Sequence, residues 1–242
     1  MKYVIGDPHG CLLEFLELKE RIQKKDDQAE FFLVGDIIDR GPKVWEFLVW
    51  AMENVTPNGR IQMILGNHED MVINWYYDKY CHWFRKTGGE PKAEAPQTKY
   101  DFSWQLMEHG KVTPQEIAPY IHFFQELPLY IKTAVIGPDG NEHRYVIAHA
   151  WFEEDAERDT LIWERKKAYQ GYEDKSNATL IHGHTPTVDE EALAMGATNG
   201  KVWCLPNNIN IDCGLVYRTQ GYPKGNLAAI CLETLEITYL YE

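Results

Sequence analysis

Several features are missing from this sequence, and each absence removes a class of protein. No apolar run approaches the ~18–20 residues that a membrane-spanning helix requires, so no membrane partner is expected. No CxxC spacing occurs: Cys11, Cys81, Cys204, Cys213 and Cys231 are scattered and odd in number. They read as free thiols of a reducing compartment, not as a disulfide framework or a thiolate zinc site. Basic residues are scarce, with 24 Lys and Arg against 37 Asp and Glu and a formal net charge of −13. Such acidity repels phosphate backbones, so long nucleic acid is not an expected partner. Only Met1–Gly6 precede Asp7, which is too short for a cleavable signal peptide. A cytoplasmic location is therefore expected. No internal repeat or low-complexity tract is present, and nothing in the sequence bears on oligomeric state.

What is present is ordinary in bulk and informative in order. The 242 residues are 44% hydrophobic and 25% charged, which suits one globular domain over 1–242. Tyr3–Gly6 is a short apolar run that ends in the turn-prone Asp7-Pro8-His9-Gly10, and Leu12, Phe15, Leu16 and Ile22 then recur at helical spacing. Phe31–Gly35 is a second run ending in a polar loop, followed by a helix with Pro42 as its first residue. Ile61–Leu65 is a third, with Gly66-Asn67-His68-Glu69 as its loop and a helix through Met71, Val72 and Trp75. Three β-loop-α units in succession predict a mainly parallel sheet in an α/β fold. Ligands of such sheets gather at the carboxyl ends of the strands, where all three polar loops fall.

Residues 78–128 break this rhythm. They hold Gly88-Gly89, Pro91, Pro96, Pro114, Pro119 and many aromatics, and are expected to form an inserted cap. Beyond them, Leu129–Ile136 and Arg144–His149 flank Pro138-Asp139-Gly140-Asn141 and read as a hairpin. Ala178–Gly183, Val202–Leu205, Ile209–Asp212, Leu227–Cys231 and Glu236–Tyr241 are further strand candidates. The expected architecture is two facing sheets flanked by helices.

The polar loops carry a consistent chemistry. Asp7 and His9 sit on one tight turn, Asp36 follows the second strand, Asn67 and His68 the third, His149 a fourth and His184 a fifth. A pair of divalent ions needs a shared carboxylate together with imidazole and oxygen ligands on rigid strand ends. Carboxylate, imidazole and amide donors without thiolate suit Mn, Fe, Zn or Co.

Taken together, Gly6-Asp7-Pro8-His9-Gly10, Gly35-Asp36-Ile37-Ile38-Asp39-Arg40-Gly41 and Gly66-Asn67-His68-Glu69 resemble the three-part signature of the phosphoprotein phosphatases, a branch of the calcineurin-like metallophosphoesterases. Ile147-Ala148-His149-Ala150 and His182-Gly183-His184-Thr185-Pro186 continue the pattern in order. The resemblance implies an αββα sandwich of two mixed sheets. It implies that Asp7 and His9 hold one metal, that Asp36 bridges, and that Asn67, His149 and His184 hold the second. It further implies a nucleophilic hydroxide between the ions, His68 as proton donor to the leaving oxygen, Asp39 as its orienting partner, and Arg40 as a phosphate ligand. Arg165 is similar to the second phosphate-binding arginine of bacterial and bacteriophage-type members. Asn208–Gly214 resembles the closing segment of the family, where Asp212 is structural. Pro186 stands where many phosphodiesterases carry a further histidine ligand, which points to the phosphatase branch.

Glu69 is expected to support the site through hydrogen bonds, and His182 to share a face with His184 by strand alternation. Two positions depart from the family pattern. Pro8 replaces an apolar residue and stiffens the turn, and Trp151 follows Ala150 where glycine is common, so it is expected to crowd the mouth of the site. For substrate, hydrolysis of phosphoserine or phosphothreonine on proteins stands first. Symmetrical cleavage of diadenosine tetraphosphate, or related action on capped RNA ends, is the alternative. The cap aromatics, among them Trp75, Tyr76, Tyr80, Tyr100 and Phe102, are expected to pack the cap's own interior rather than stack bases. The cap's positive charge is modest, with Lys92 and Lys99 among its few cations. A non-catalytic interaction scaffold is the remote reading, disfavoured because every ligand and His68 are present.

Overall fold

The computed structural model describes residues 1–89, 95–173 and 175–242; Pro91 and Lys92 of the expected cap lie outside them. Sheet A contains β1 (Lys2–Ile5), β2 (Glu30–Leu33), β3 (Ile61–Met63), β9 (Ala228–Cys231) and β10 (Ile237–Tyr239) in the order β10-β9-β1-β2-β3. β1, β2 and β3 are parallel, and the C-terminal β9 and β10 add antiparallel to the edge. Sheet B contains β4 (Tyr130–Ile136), β5 (Glu142–Ala148), β6 (Thr179–His182), β7 (Trp203–Leu205) and β8 (Asn208–Asn210) in the order β4-β5-β6-β8-β7. β4 and β5 form the expected hairpin, while β5, β6 and β8 run parallel.

The two sheets face each other. Val4, Phe32, Val34, Ala228 and Ile230 of sheet A meet Tyr145, Ile147, Ile181 and Ile209 of sheet B in one buried layer. Each large apolar side chain removed from water here contributes roughly 1.5–3 kcal/mol. The other face of sheet A is covered by α1 (Leu12–Gln23), α2 (Val44–Asn54) and α3 (Asn67–Trp75). α1 buries Leu12, Phe15, Leu18 and Ile22, a helical stripe against Phe31 and Leu33. Pro42 does not open α2 as expected. It lies in a turn, because the Lys43 N–H donates to the Gly10 carbonyl at 2.8 Å and ties the segment to the first polar loop.

The described residues of the 78–128 segment are mostly helical. A π-helical turn over Tyr76–Tyr80 continues α3 into α4 (Cys81–Thr87), followed by α5 (Phe102–Glu108) and α6 (Pro114–Glu126). Thr113 caps α6 with a reciprocal Glu116 bond. Trp75, Tyr76, Tyr80 and Phe102 are buried, as expected, but they share one core with α1 and α2 instead of forming a separate one. The outer face of sheet B is covered by α7 (Arg158–Trp163) through Leu161 and Ile162, which pack on Ala148, Leu180 and Trp151.

Candidate metal centre

β1, β2, β3, β5 and β6 end flush, with Ile5 opposite Leu33, Leu33 opposite Met63, and Ile147 opposite Ile181. The residues after each strand therefore converge. Asp7, His9, Asp36, Asn67, His149 and His184 are all buried, although the sequence scatters them from 7 to 184. The chain bends sharply to achieve this. His9, Asp36, Asp39, Arg40 and His184 all take left-handed φ, between +38° and +66°. Such conformations cost about 1–3 kcal/mol each outside glycine and concentrate at functional sites. Close approach explains Gly183 as well: a Cβ there would stand 1.9 Å from the Asp7 carboxylate.

Asp36 lies at the middle. Its Oδ1 faces His149 Nε2 at 3.5 Å, and its Oδ2 faces His9 Nε2 at 3.6 Å and His68 Nε2 at 3.9 Å. Two donor groups result, His9 with Asp36 and His68, and Asp36 with His149 and His184. Asn67 Oδ1 completes the second, 3.0 Å from His149 Nε2 and 2.8 Å from His184 Nδ1.

The hydrogen bonds around these rings fit metal binding. His149 Nδ1 donates to the Val34 carbonyl at 2.6 Å, and His9 Nδ1 donates to that of Ile38 at 3.1 Å. In the neutral tautomers this leaves both Nε2 lone pairs pointing at Asp36 oxygens. Converging lone pairs need a cation, and a backbone carbonyl on the far nitrogen is the usual support of a ligating histidine. Without a cation, His149 acquires a proton instead. Burial opposes this, but Asp36 and Asp7 outweigh it and raise the pKa to about 10. Asp7 Oδ2 accepts from the His184 N–H at 2.8 Å, and its buried Oδ1 has no hydrogen-bond partner among the described residues. Burial, reinforced by the nearby Asp212 charge, pushes Asp7 well above the usual carboxylate range. Burial and the neighbouring His68 lower His9 to about 3, which keeps it a neutral donor.

His68 stands at the edge of the pair. Its Nδ1 contacts Asp39 Oδ2 at 2.8 Å, leaving Nε2 toward the centre. Asp39 Oδ1 accepts the N–H of Phe102 at 3.2 Å, so the start of α5 braces the dyad. Glu69 is fully buried and accepts from the N–H groups of Asp36, Ile37 and Gly66 at 2.9–3.0 Å, locking the second loop to the third. Asp212 accepts from Gly214 and is raised to about 6, chiefly by burial.

Arg40 is half-buried and its guanidinium lies over the Tyr100 ring at 5.0 Å. Arg165 is exposed beyond α7, and its charge reaches His184 and Asp212. Tyr100 was not singled out as a site residue by sequence reasoning. It stacks on His68 at 4.7 Å, roofing the imidazole. No local motif marks it, because the contact spans from the cap to the third loop.

Two expectations need correction. Trp151 does not crowd the mouth. It is buried in the outer layer of sheet B against Tyr172 and His182, because the chain turns away from the centre after His149. His182 does not share a face with His184. It closes β6 on that same outer layer, whereas His184 lies beyond the strand's end and takes a left-handed φ. Burial holds His182 at about 4, and its Nδ1 donates to the Gly183 carbonyl.

Comparison with known proteins agrees with this arrangement. The family model described as calcineurin-like phosphoesterase matches residues 3–211. The chain is 26% identical over 236 residues to the asymmetrical bis(5'-nucleosyl)-tetraphosphatase PrpE of Bacillus thuringiensis, covering 90% of this chain and 87% of the relative. The Bacillus cereus protein of the same name is 25% identical with the same coverage. A metallophosphoesterase structure from Sphaerobacter thermophilus superposes with a TM-score of 0.54 at 17% identity, covering 98% of this chain and 86% of that one. A cold-active protein tyrosine phosphatase superposes with a TM-score of 0.52 at 16% identity, covering 100% and 78%. With its family match spanning all five strand-end loops, the chain belongs to the calcineurin-like phosphoesterases and is a hydrolase of phosphoester bonds.

Proposed function

We propose that the chain hydrolyses dinucleoside polyphosphates asymmetrically, releasing a nucleoside triphosphate and a monophosphate from a tetraphosphate. The observation that carries this choice over phosphoproteins is sequence likeness: relatives named for that activity are 25–26% identical over nine-tenths of this chain, whereas the protein tyrosine phosphatase that superposes on it is 16% identical. Their name specifies the asymmetrical reaction, not the symmetrical one anticipated from the sequence motifs.

Asp7, His9 and Asp36 would hold one divalent ion, and Asp36, Asn67, His149 and His184 a second, with Mn suited to this oxygen and imidazole set. Bound ions of this kind supply Lewis-acid polarisation of the phosphoryl group and activation of a water nucleophile. The chain supplies the rest. Arg40 and Arg165 bind phosphoryl oxygens through planar guanidinium forks. Tyr100 and Asp39 fix the His68 ring, so that a proton on Nε2 reaches the leaving oxygen. Glu69 holds Asp36 and Asn67 in register across two loops.

A phosphoprotein phosphatase is the second reading, favoured by the Gly183-His184-Thr185-Pro186 segment, where proline replaces a further ligand. The two are separated by kcat/KM for diadenosine tetraphosphate and for a phosphothreonine peptide in Mn, with His68→Asn as control. Faster nucleotide cleavage supports the proposal; faster peptide cleavage overturns it.

A further inference from the structure

α7 is fixed at both ends to elements that carry the centre. At its start, Arg158 Nε and Nη2 donate to Asp70 Oδ1 at 2.9 and 2.7 Å. Asp70 belongs to α3, the helix that begins with Asn67 and His68, and its Oδ2 is held by Asn74. Further along, the Leu161 carbonyl accepts from the Ala150 N–H at 2.9 Å, next to His149. Leu161 and Ile162 are buried in the outer layer. The helix thus ends at a defined position, and its last residue is Trp163.

Trp163 is 39% exposed. Its ring meets the His184 imidazole edge-on, with centroids 6.1 Å apart and planes at 84°. Burial of an indole is favourable, and Trp151 in the same outer layer is 3% exposed. Trp163 ends a helix anchored at Arg158 and Leu161, yet it is left open at the edge of the metal centre. Two residues on, Arg165 is also exposed. An open indole at a phosphoryl centre, with a cation two residues along the chain, matches the two halves of a nucleotide, its base and its phosphate.

Trp104 of α5 is more open, at 60%, but among the described residues no ring contact joins it to a candidate ligand, and the rings of the cap that surround the centre are engaged or buried. Tyr100 has His68 stacked on it at 4.7 Å and Arg40 over it at 5.0 Å. Trp75, Tyr76, Tyr80 and Phe102 are buried. Tyr77 is exposed but packs on Tyr76 and donates to Gln125. Among the described residues, Trp163 is the exposed tryptophan in ring contact with a candidate metal ligand.

We infer that Trp163 is the platform on which a nucleobase of the substrate stacks, with Arg165 leading the adjoining phosphates to the centre. This rests on the dinucleoside polyphosphate reading of the same site and names its base subsite. The Arg158–Asp70 pair anchors the start of the helix that carries the platform. Base stacking is tolerant of base identity because every base offers a π face, so adenine and guanine nucleotides are both accommodated.

Calorimetry with two probes tests this without turnover. AMP and ribose 5-phosphate share the phosphate and sugar and differ in the base. The Mn-loaded wild type is expected to bind AMP about tenfold more tightly than ribose 5-phosphate. Trp163→Ala should reduce that ratio to within about twofold by weakening AMP alone, and Trp163→Phe should recover most of it. A ratio near one in the wild type, a ratio that survives in Trp163→Ala, or equal weakening of both probes would each overturn the assignment. Hydrolysis of diadenosine tetraphosphate is read separately. Cleavage without base preference sinks the platform alone, and base preference without cleavage sinks the dinucleoside reading alone.

Discussion

Replacing Asp39 by Asn isolates what the carboxylate contributes to His68. Asp39 is buried, with Oδ2 2.8 Å from His68 Nδ1 and Oδ1 accepting from the Phe102 N–H at 3.2 Å. An asparagine keeps the second bond by presenting its carbonyl to Phe102. Its amide then donates to His68 Nδ1, which reverses the tautomer and removes the charge that supports an imidazolium. Positioned acid–base catalysis contributes roughly 10²–10⁴-fold, and loss of the orienting carboxylate should remove most of it. For a substrate with a poor leaving group, kcat is expected to fall about 10²–10³-fold while KM changes by less than about threefold, since Asp39 is placed to touch no substrate. Leaving groups that depart without a proton should be nearly indifferent, so p-nitrophenyl phosphate should lose less than an alkyl phosphate. Steady-state kinetics on both substrates, with Asp39→Asn, His68→Asn and the double variant, reads the effect. The double variant should be no slower than His68→Asn, because the two residues act as one unit. Fully additive losses, or an Asp39→Asn enzyme within threefold of wild type on the alkyl ester, would refute the dyad.

Glu69→Ala would strand the buried N–H groups of Asp36, Ile37 and Gly66, so urea denaturation should show a loss of about 3 kcal/mol or more. Glu69→Gln, which retains one carbonyl oxygen, should lose markedly less. Gly183→Ala should abolish Mn binding in calorimetry while the chain still folds, because its Cβ would fall 1.9 Å from the Asp7 carboxylate. Thiol labelling of the native protein at pH 8 should modify the exposed Cys204 and spare buried Cys11 and Cys213 until denaturant is added. Burial raises Cys11 to about 12, so the thiol remains protonated as well as shielded.

Much of the fold was legible because each signal was local. Apolar runs of strand length ending in Asp7-Pro8-His9, Gly35-Asp36 and Gly66-Asn67 announce strand ends, and helical spacing after each announces the crossover. The hairpin of β4 and β5 was legible from its Pro-Asp-Gly-Asn turn for the same reason. Readings that depended on three-dimensional packing fared less well. Pro42 falls outside α2 because Lys43 is held by Gly10, a partner far away in sequence. Alternation placed His182 beside His184, but the rule holds only within a strand, and β6 ends between them. Trp151 follows a candidate ligand directly, yet the chain's turn carries its ring to the outer layer. Tyr100 and Trp163 reach the centre from the cap and from α7 through tertiary contacts that leave no spacing pattern.

The most direct test of the account is the product of diadenosine tetraphosphate hydrolysis by the Mn-loaded enzyme, resolved by anion-exchange chromatography. Equal amounts of ATP and AMP are expected, formed much faster than phosphate is released from a phosphothreonine peptide, and lost on chelation of the metal. ADP as the sole product would contradict asymmetrical cleavage, and an inert nucleotide beside a rapidly dephosphorylated peptide would contradict the substrate class itself.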